Sequence, residues 1–382
     1  MDSELNGKVK ALIARQIAEG RQIGTQVCAY RDGKLIVDAW DGQMGAHDER
    51  RVGPESLFSS FSTTKGVAAT ILHMLADRGQ LDYDAPVAKY WPEFAQNGKG
   101  EVTVAQAMSH QAGLHAVPRP FTLEFIEDWE GALDWIAAQA PAYPPCTNTG
   151  YHAFTYAWVA GGIIQKASGR HIKEWLAEDL AGPLGVGDSM FMGIPEGVDE
   201  RLTTLRNAPP PAPGTPNPAA ALGPDHPIFQ AMPMRTNFTF NDARTRRACL
   251  PSANGHFTAR ALARMYGALA NGGEIDGVRI VTAERIPHMY RLMTDRVDLV
   301  LGQRLRKGIG FFLGGSEEAG ASALGPSLTT FGHPGAGGSV GWADPERRLS
   351  VAVTINQMHS GLQGEGPVAE ICNFIRAEVA AR

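Results

Sequence analysis

Strand-forming segments stand near both ends of this 382-residue chain, and helix-forming segments fill the stretch between them. Residues 25–31 and 34–40 are strand-like and flank Asp32-Gly33, a two-residue hairpin signal. Toward the other end, 309–313, 328–331, 339–343 and 349–355 read as strands, with Asp344-Pro345-Glu346-Arg347-Arg348 as the turn between the last two. Helices are expected where Leu5, Val9, Leu12, Ile13 and Ile17 recur at helical spacing, and again over 130–140, 156–167 and 258–270. A last helix spans 367–381, with Pro367 at the first helical position, where its missing N–H costs nothing. This order predicts one α/β unit built from both termini, 1–60 and 255–382, with a mainly helical domain, 61–254, inserted into it. The insert includes a Pro-rich stretch, 207–226, which can be neither helix nor central strand and reads as a long irregular loop.

Composition narrows the function classes. A hydrophobic content of 43% fits a globular protein, and a formal net charge of −5 with scattered basic residues gives nucleic acid no footing. The N-terminal residues Met1-Asp2-Ser3-Glu4 are polar and acidic, unlike a secretory signal. No apolar run approaches the roughly 20 residues that span a membrane. Cys28, Cys146, Cys249 and Cys372 lie far apart and form no metal-type or redox pair. The eleven histidines show no metal spacing either. A cytoplasmic protein without metal or organic cofactor, and without a membrane partner, is the expectation.

Chemistry enters at Ser62-Thr63-Thr64-Lys65, which opens the apolar run Gly66-Val67-Ala68-Ala69-Thr70-Ile71-Leu72. Residues three apart on a helix share a face, so the lysine amine reaches the serine hydroxyl. A serine needs a base to become a nucleophile, and lysine serves once burial lowers its pKa. The first turn of a helix also offers free N–H groups to developing negative charge. Taken alone, the same four residues fit a capping serine and a solvated lysine. Two further elements give the pair company. Tyr151 follows Gly150 just ahead of a helix and can share protons with the serine. Phe331-Gly332-His333-Pro334-Gly335-Ala336 precedes a strand, so the N–H of Ala336 can complete an oxyanion hole with that of Ser62.

With these three elements in this order, the chain resembles the serine β-lactamase and penicillin-binding-protein superfamily, and within it the β-lactamase-like (family VIII) carboxylesterases. Ser62-Thr63-Thr64-Lys65 matches the first motif and Tyr151-His152-Ala153 the tyrosine motif, while His333-Pro334-Gly335 stands where β-lactamases have Lys-Thr-Gly. The similarity covers nearly the whole chain and takes in Met108 to Leu114 and Leu250 to Gly255. It implies a β-lactamase-like/transpeptidase fold, an antiparallel sheet flanked by helices with an inserted helical domain, and an active site in the cleft between them. It also implies a serine hydrolase of esters or lactones, with Ser62 as nucleophile and Lys65 with Tyr151 as base. His333, Gly335 and His152 are the candidates for substrate binding.

Two departures point away from antibiotics. Ala153 replaces the asparagine that closes the β-lactamase tyrosine motif, and His333 replaces a permanent cation. The rival readings are amide hydrolysis of the β-lactamase or D-aminopeptidase kind, acyl transfer, and a catalytically silent binding protein of the same fold. Gly337-Gly338-Ser339-Val340-Gly341 also spells the nucleophile elbow of α/β-hydrolases, but a turn precedes that serine and a strand follows it. Phe121, Phe125, Trp129 and Trp135 fit either an aromatic substrate pocket or ordinary core packing.

Overall fold

A computed structural model describes residues 1–208, 222–315, 322–359 and 366–381. Most of the Pro-rich loop expected at 207–226 therefore lies outside the described residues. The hairpin forms as the sequence implies. Strands β1 (Gly24–Arg31) and β2 (Lys34–Gly45) meet at Asp32 and Gly33, whose φ angles of 51° and 70° are the pair a tight primed turn requires. Strand β3 (Asp48–Arg51) carries Asp, Glu and two Arg, charges that suit an exposed sheet edge.

Six strands from the other end of the chain complete the sheet: β4 (Thr294–Val297), β5 (Arg304–Lys307), β6 (Phe312–Leu313), β7 (Phe331–Pro334), β8 (Val340–Asp344) and β9 (Leu349–Ile355). The nine strands run in the order β3-β2-β1-β9-β8-β7-β6-β5-β4, and every neighbouring pair is antiparallel. Strands β1 and β9 pair from Thr25↔Ile355 to Arg31↔Leu349, which joins the two ends of the chain. All seven residues of β9 are buried, as expected of a strand covered on both faces.

The strand expected at 309–313 shrinks to two residues. Strands β4 and β5, Thr-Asp-Arg-Val and Arg-Leu-Arg-Lys, carry too much charge to signal themselves and are held by pairing with each other. The strand expected at 328–331 instead begins at Phe331 and runs through His333 to Pro334, because pairing with β8 fixes its register. A second, three-stranded sheet of Phe58–Ser59, Gly255–Phe257 and Met190–Met192 is too short to leave any periodic pattern in the sequence.

Five helices position the rest. Helix α1 (Ser3–Ala18) is capped by Asp2, whose carboxylate accepts the Leu5 N–H at 3.0 Å. It packs with the closing helix α5 (Pro367–Ala380) on one side of the sheet. Helix α4 (Ala259–Ala270) lies against β1, β8 and β9. Helix α2 (Thr63–Asp77) is buried at every position from Thr63 to Ala76, the mark of a helix enclosed on all sides. It sits at the seam, against the inserted helix α3 (Tyr156–Ser168) and strand β7. No described helix is long and apolar enough to cross a membrane.

Helix α2 approaches α4 closely because Gly66 lacks a side chain; a Cβ there would lie 2.1 Å from Tyr266 Oη. Gly66→Ala should therefore destabilise the protein by about 1–3 kcal/mol, against the ~1 kcal/mol that alanine gains in an isolated helix. The Tyr266 hydroxyl is buried without a partner, so Tyr266→Phe should be close to neutral and should recover most of the loss in the double variant. Urea unfolding of the four proteins measures this, and an unchanged midpoint for Gly66→Ala would refute the argument.

Candidate active site

The site begins with a strained backbone. Phe61 has φ 44°, a conformation that costs a bulky residue about 1–3 kcal/mol and clusters at functional positions. Ser62 follows as the first residue of the α2 turn, yet its hydroxyl makes no capping hydrogen bond. It lies 3.0 Å from Lys65 Nζ, one turn further on. Lys65 is wholly buried, and its Nζ is 2.8 Å from the carbonyl oxygens of both Ala153 and Ser252. Burial, with no carboxylate beside it, pushes the amine well below the usual lysine value of 10.5. A neutral amine has two N–H bonds and one lone pair. In that neutral form the two carbonyls can take the N–H bonds, which leaves the lone pair to face the Ser62 hydroxyl 3.0 Å away.

Tyr151 stands on the other side of the serine. Its ring lies 4.8 Å from Lys65 Nζ, and it lines the same cavity as Ser62. Burial raises the phenol above its ordinary 10.0, so it is a proton donor rather than a phenolate. Asp298 holds the main chain here, accepting the Tyr151 N–H at 3.1 Å.

The turn between β7 and β8 closes the third side. Gly335 must be glycine, because a Cβ would lie 2.3 Å from the carbonyl oxygen of Ser60. Thr63 Oγ1 donates to the Ser339 carbonyl at 3.1 Å, tying the head of α2 to this turn. Ser62 and Ala336 both face the cavity, and among the described residues no protein acceptor takes the N–H of either. Ser339 itself is buried, and its hydroxyl accepts the Ile355 N–H at 3.1 Å. That hydroxyl is a structural brace, away from the cavity.

Two of the candidate substrate-binding residues sit elsewhere than expected. His152 is not brought to the cleft: it is fully buried, its Nε2 accepts the Leu114 N–H at 3.0 Å, and its Nδ1 lies 3.1 Å from His110 Nδ1. Residues 110–114 draw it inward, so its partners are protein atoms. His333 is also buried, against Phe312 at 4.6 Å and Tyr151 at 6.1 Å between ring centroids. Its Nδ1 is 2.8 Å from the Pro334 carbonyl, its Nε2 has no partner, and burial keeps the ring neutral. The cavity wall is formed not by this ring but by the next three residues, Pro334, Gly335 and Ala336.

The cavity above Ser62 measures about 180 Å³. Its wall is apolar, drawn from Phe61, Phe154, Met232, Phe240, Leu301 and Phe312, and none of its lining residues carries a charge. These residues come from six separate segments, so no local pattern marks them. The aromatic residues noted at 121–135 belong to the helical core: Phe121, Phe125 and Trp135 pack around Trp158 and Phe154. Ser252 was visible only as part of a matching segment, because its contribution is a backbone carbonyl.

The Beta-lactamase family model matches residues 9–369, and the chain belongs to that family. It is a serine hydrolase of β-lactamase fold. Among curated proteins it is 35% identical over 350 residues to the Esterase/beta-lactamase LipL of Mycobacterium tuberculosis, covering 90% of this chain and 79% of that one. A family VIII carboxylesterase crystal structure superposes with a TM-score of 0.88 at 34% identity, over 99% of this chain and 98% of the other. A penicillin-binding protein homologue from Caulobacter crescentus gives the same TM-score at 35% identity, again over 99% and 98% of the two chains.

A fluorophosphonate probe should label the protein once, on the peptide containing Ser62, and Ser62→Ala should abolish the label while Ser339→Ala leaves it. Mass spectrometry of the digested adduct decides this; a label on Ser339 would overturn the assignment.

Proposed function

We propose that the protein is a carboxylesterase-type serine hydrolase that cleaves small, uncharged, apolar esters or lactones through an acyl-enzyme. One observation carries the reading: a buried amine that lies 3.0 Å from the Ser62 hydroxyl and 2.8 Å from two carbonyl oxygens. As Ser62 Oγ attacks the substrate carbonyl, its proton passes to Lys65. Negative charge grows on the carbonyl oxygen, facing the N–H groups of Ser62 and Ala336, a stabilisation typically worth about 10²–10³-fold in rate. The bond to the departing oxygen then breaks, and the leaving alkoxide takes the proton of the Tyr151 phenol. Lys65 returns its extra proton to the phenolate, so both groups are neutral again when the alcohol leaves. Water repeats the sequence in reverse, giving its proton to the same pair while the acyl group passes from Ser62 to the water oxygen. An alcohol in place of water would complete acyl transfer by the same steps.

The substrate class follows from the cavity. It is smaller than the roughly 300–1,000 Å³ of pockets that hold drug-sized ligands, which suits a short acyl or alcohol group. Among the described residues no charged side chain lines it, so a substrate carboxylate would be desolvated without a partner from them. An ester bearing a carboxylate on its acyl chain should show kcat/KM lower by about 100-fold or more than its uncharged counterpart. The same penalty falls on β-lactams, whose carboxylate has no cation to meet here. Efficient turnover of a cephalosporin would contradict this part of the proposal.

The pH dependence has a definite sign. Activity needs Lys65 neutral and Tyr151 protonated. The lysine is pushed well below 10.5 and the phenol above 10.0. The rate should therefore rise with pH through the depressed lysine value and stay level to about pH 10, after subtraction of spontaneous hydrolysis. A fall between neutral and mildly alkaline pH would show that one of the two assignments is wrong. Ser62→Ala should remove the activity altogether on a short p-nitrophenyl ester, and wild-type turnover by that variant would show that Ser62 is not the nucleophile.

A further inference from the structure

Tyr151 is held by a buried ion pair that lies outside the three motifs. Asp298 and Lys307 are both buried, 0% and 1% exposed at the side chain, and form a salt bridge on the β4–β5 hairpin. The second oxygen of Asp298 accepts three backbone N–H groups: Tyr151 at 3.1 Å, and Val300 and Leu301 at 2.9 Å. Lys307 Nζ, beyond its bond to Asp298, donates to Thr149 Oγ1 at 2.7 Å. The Leu299 N–H reaches the Thr149 carbonyl at 2.9 Å, and Arg296 reaches that of Thr147 at 2.7 Å. Four separate donors and acceptors of one hairpin thus grip the five residues that end at the phenol. The same hairpin loop supplies Leu301 to the cavity wall.

We infer that Asp298, locked by Lys307, is the positioning residue of the Tyr151 phenol, and that the β4–β5 hairpin sets where the leaving alkoxide meets its proton. The inference rests on the proposed role of Tyr151 as the acid. Tyr151 follows Gly150, and among the described residues its side chain is held by ring contacts with His110, Phe312 and His333 and by Lys65 Nζ 4.8 Å from its ring. The main-chain grip therefore decides its reach. Asp298 is not among the described residues that line the cavity above Ser62; it acts through the backbone it holds.

Leaving-group dependence separates positioning from mere stability. An alkyl ester expels an alkoxide that must be protonated, whereas p-nitrophenolate departs without a proton. Two double variants both remove the buried charges: Asp298→Ala/Lys307→Met, which deletes the acceptor of the Tyr151 N–H, and Asp298→Asn/Lys307→Met, which keeps it. With rates corrected for active sites by titration, the alanine pair should lose about 10- to 100-fold in kcat on an ethyl ester and only a few-fold on the p-nitrophenyl ester. The asparagine pair should keep the wild-type ratio between the two substrates. Equal losses on both esters, or an unchanged ratio in the alanine pair, would overturn the inference. If the alanine pair lacks a native near-ultraviolet circular dichroism signal, Thr149→Val, which removes the Lys307 anchor and a longer 3.5 Å bond to the His110 carbonyl, is read the same way with a few-fold selective loss. Tyr151→Phe is the control: a variant that fails to distinguish the two esters refutes the acid role of Tyr151, whereas selectivity there without selectivity in the alanine pair refutes the positioning role alone.

Discussion

An amine withdrawn from water, with its hydrogen bonds satisfied by carbonyls rather than carboxylates, is the interaction on which the site depends. A carboxylate beside Lys65 would stabilise the ammonium and hold its proton. Two carbonyl oxygens, from Ala153 and Ser252, satisfy the N–H bonds without adding a charge. Desolvation then acts unopposed and lowers the amine well below its ordinary value. The arrangement requires three stretches of chain to meet at one atom: the head of α2, the segment before α3, and the segment before the small sheet. Helices and sheet meet there, so the fold and the proposed base are conditions of each other.

Small residues make that meeting possible. Gly66 lets α2 lie against Tyr266, Gly335 lets the β7–β8 turn touch the main chain at Ser60, and Gly255 clears room beside Thr64, whose Oγ1 a Cβ would approach to 2.5 Å. Around them burial favours the neutral forms of three histidines and two tyrosines, lowering His110, His152 and His333 and raising Tyr151 and Tyr156. A cavity without fixed charge has a low local dielectric, in which the partial charges of two N–H groups count for more than they would in water. This is also why an anionic substrate is disfavoured: nothing in the wall replaces the water it would lose.

Much of this architecture was legible in the chain. The Asp32-Gly33 turn, the helix that begins after Ser62, the helix ended by Gly169 and the final helix from Pro367 each follow from local rules of spacing and turn chemistry. Strands β4 and β5 were not legible, because their charged residues are reconciled only by pairing and by the buried Asp298–Lys307 bridge. The register of β7 was misplaced for a related reason, since Gly332 and His333 have no strand preference until Trp342 and Gly341 stand opposite. His152, named for substrate binding because of its neighbour Tyr151, turned inward when Leu114 offered a backbone N–H.

The sequence by itself determined the serine and the amine one turn apart, the tyrosine behind a glycine, and the glycine-rich turn, since these depend on spacings of a few residues. Only the tertiary structure decided that Lys65 is dry, that its N–H bonds go to Ala153 and Ser252, that Asp298 holds the Tyr151 main chain, and that the cavity is uncharged. Burial and backbone carbonyls belong to no residue type, and their partners lie up to 187 positions apart in the case of Lys65. Short spacing names the reacting groups; long-range packing sets their protons.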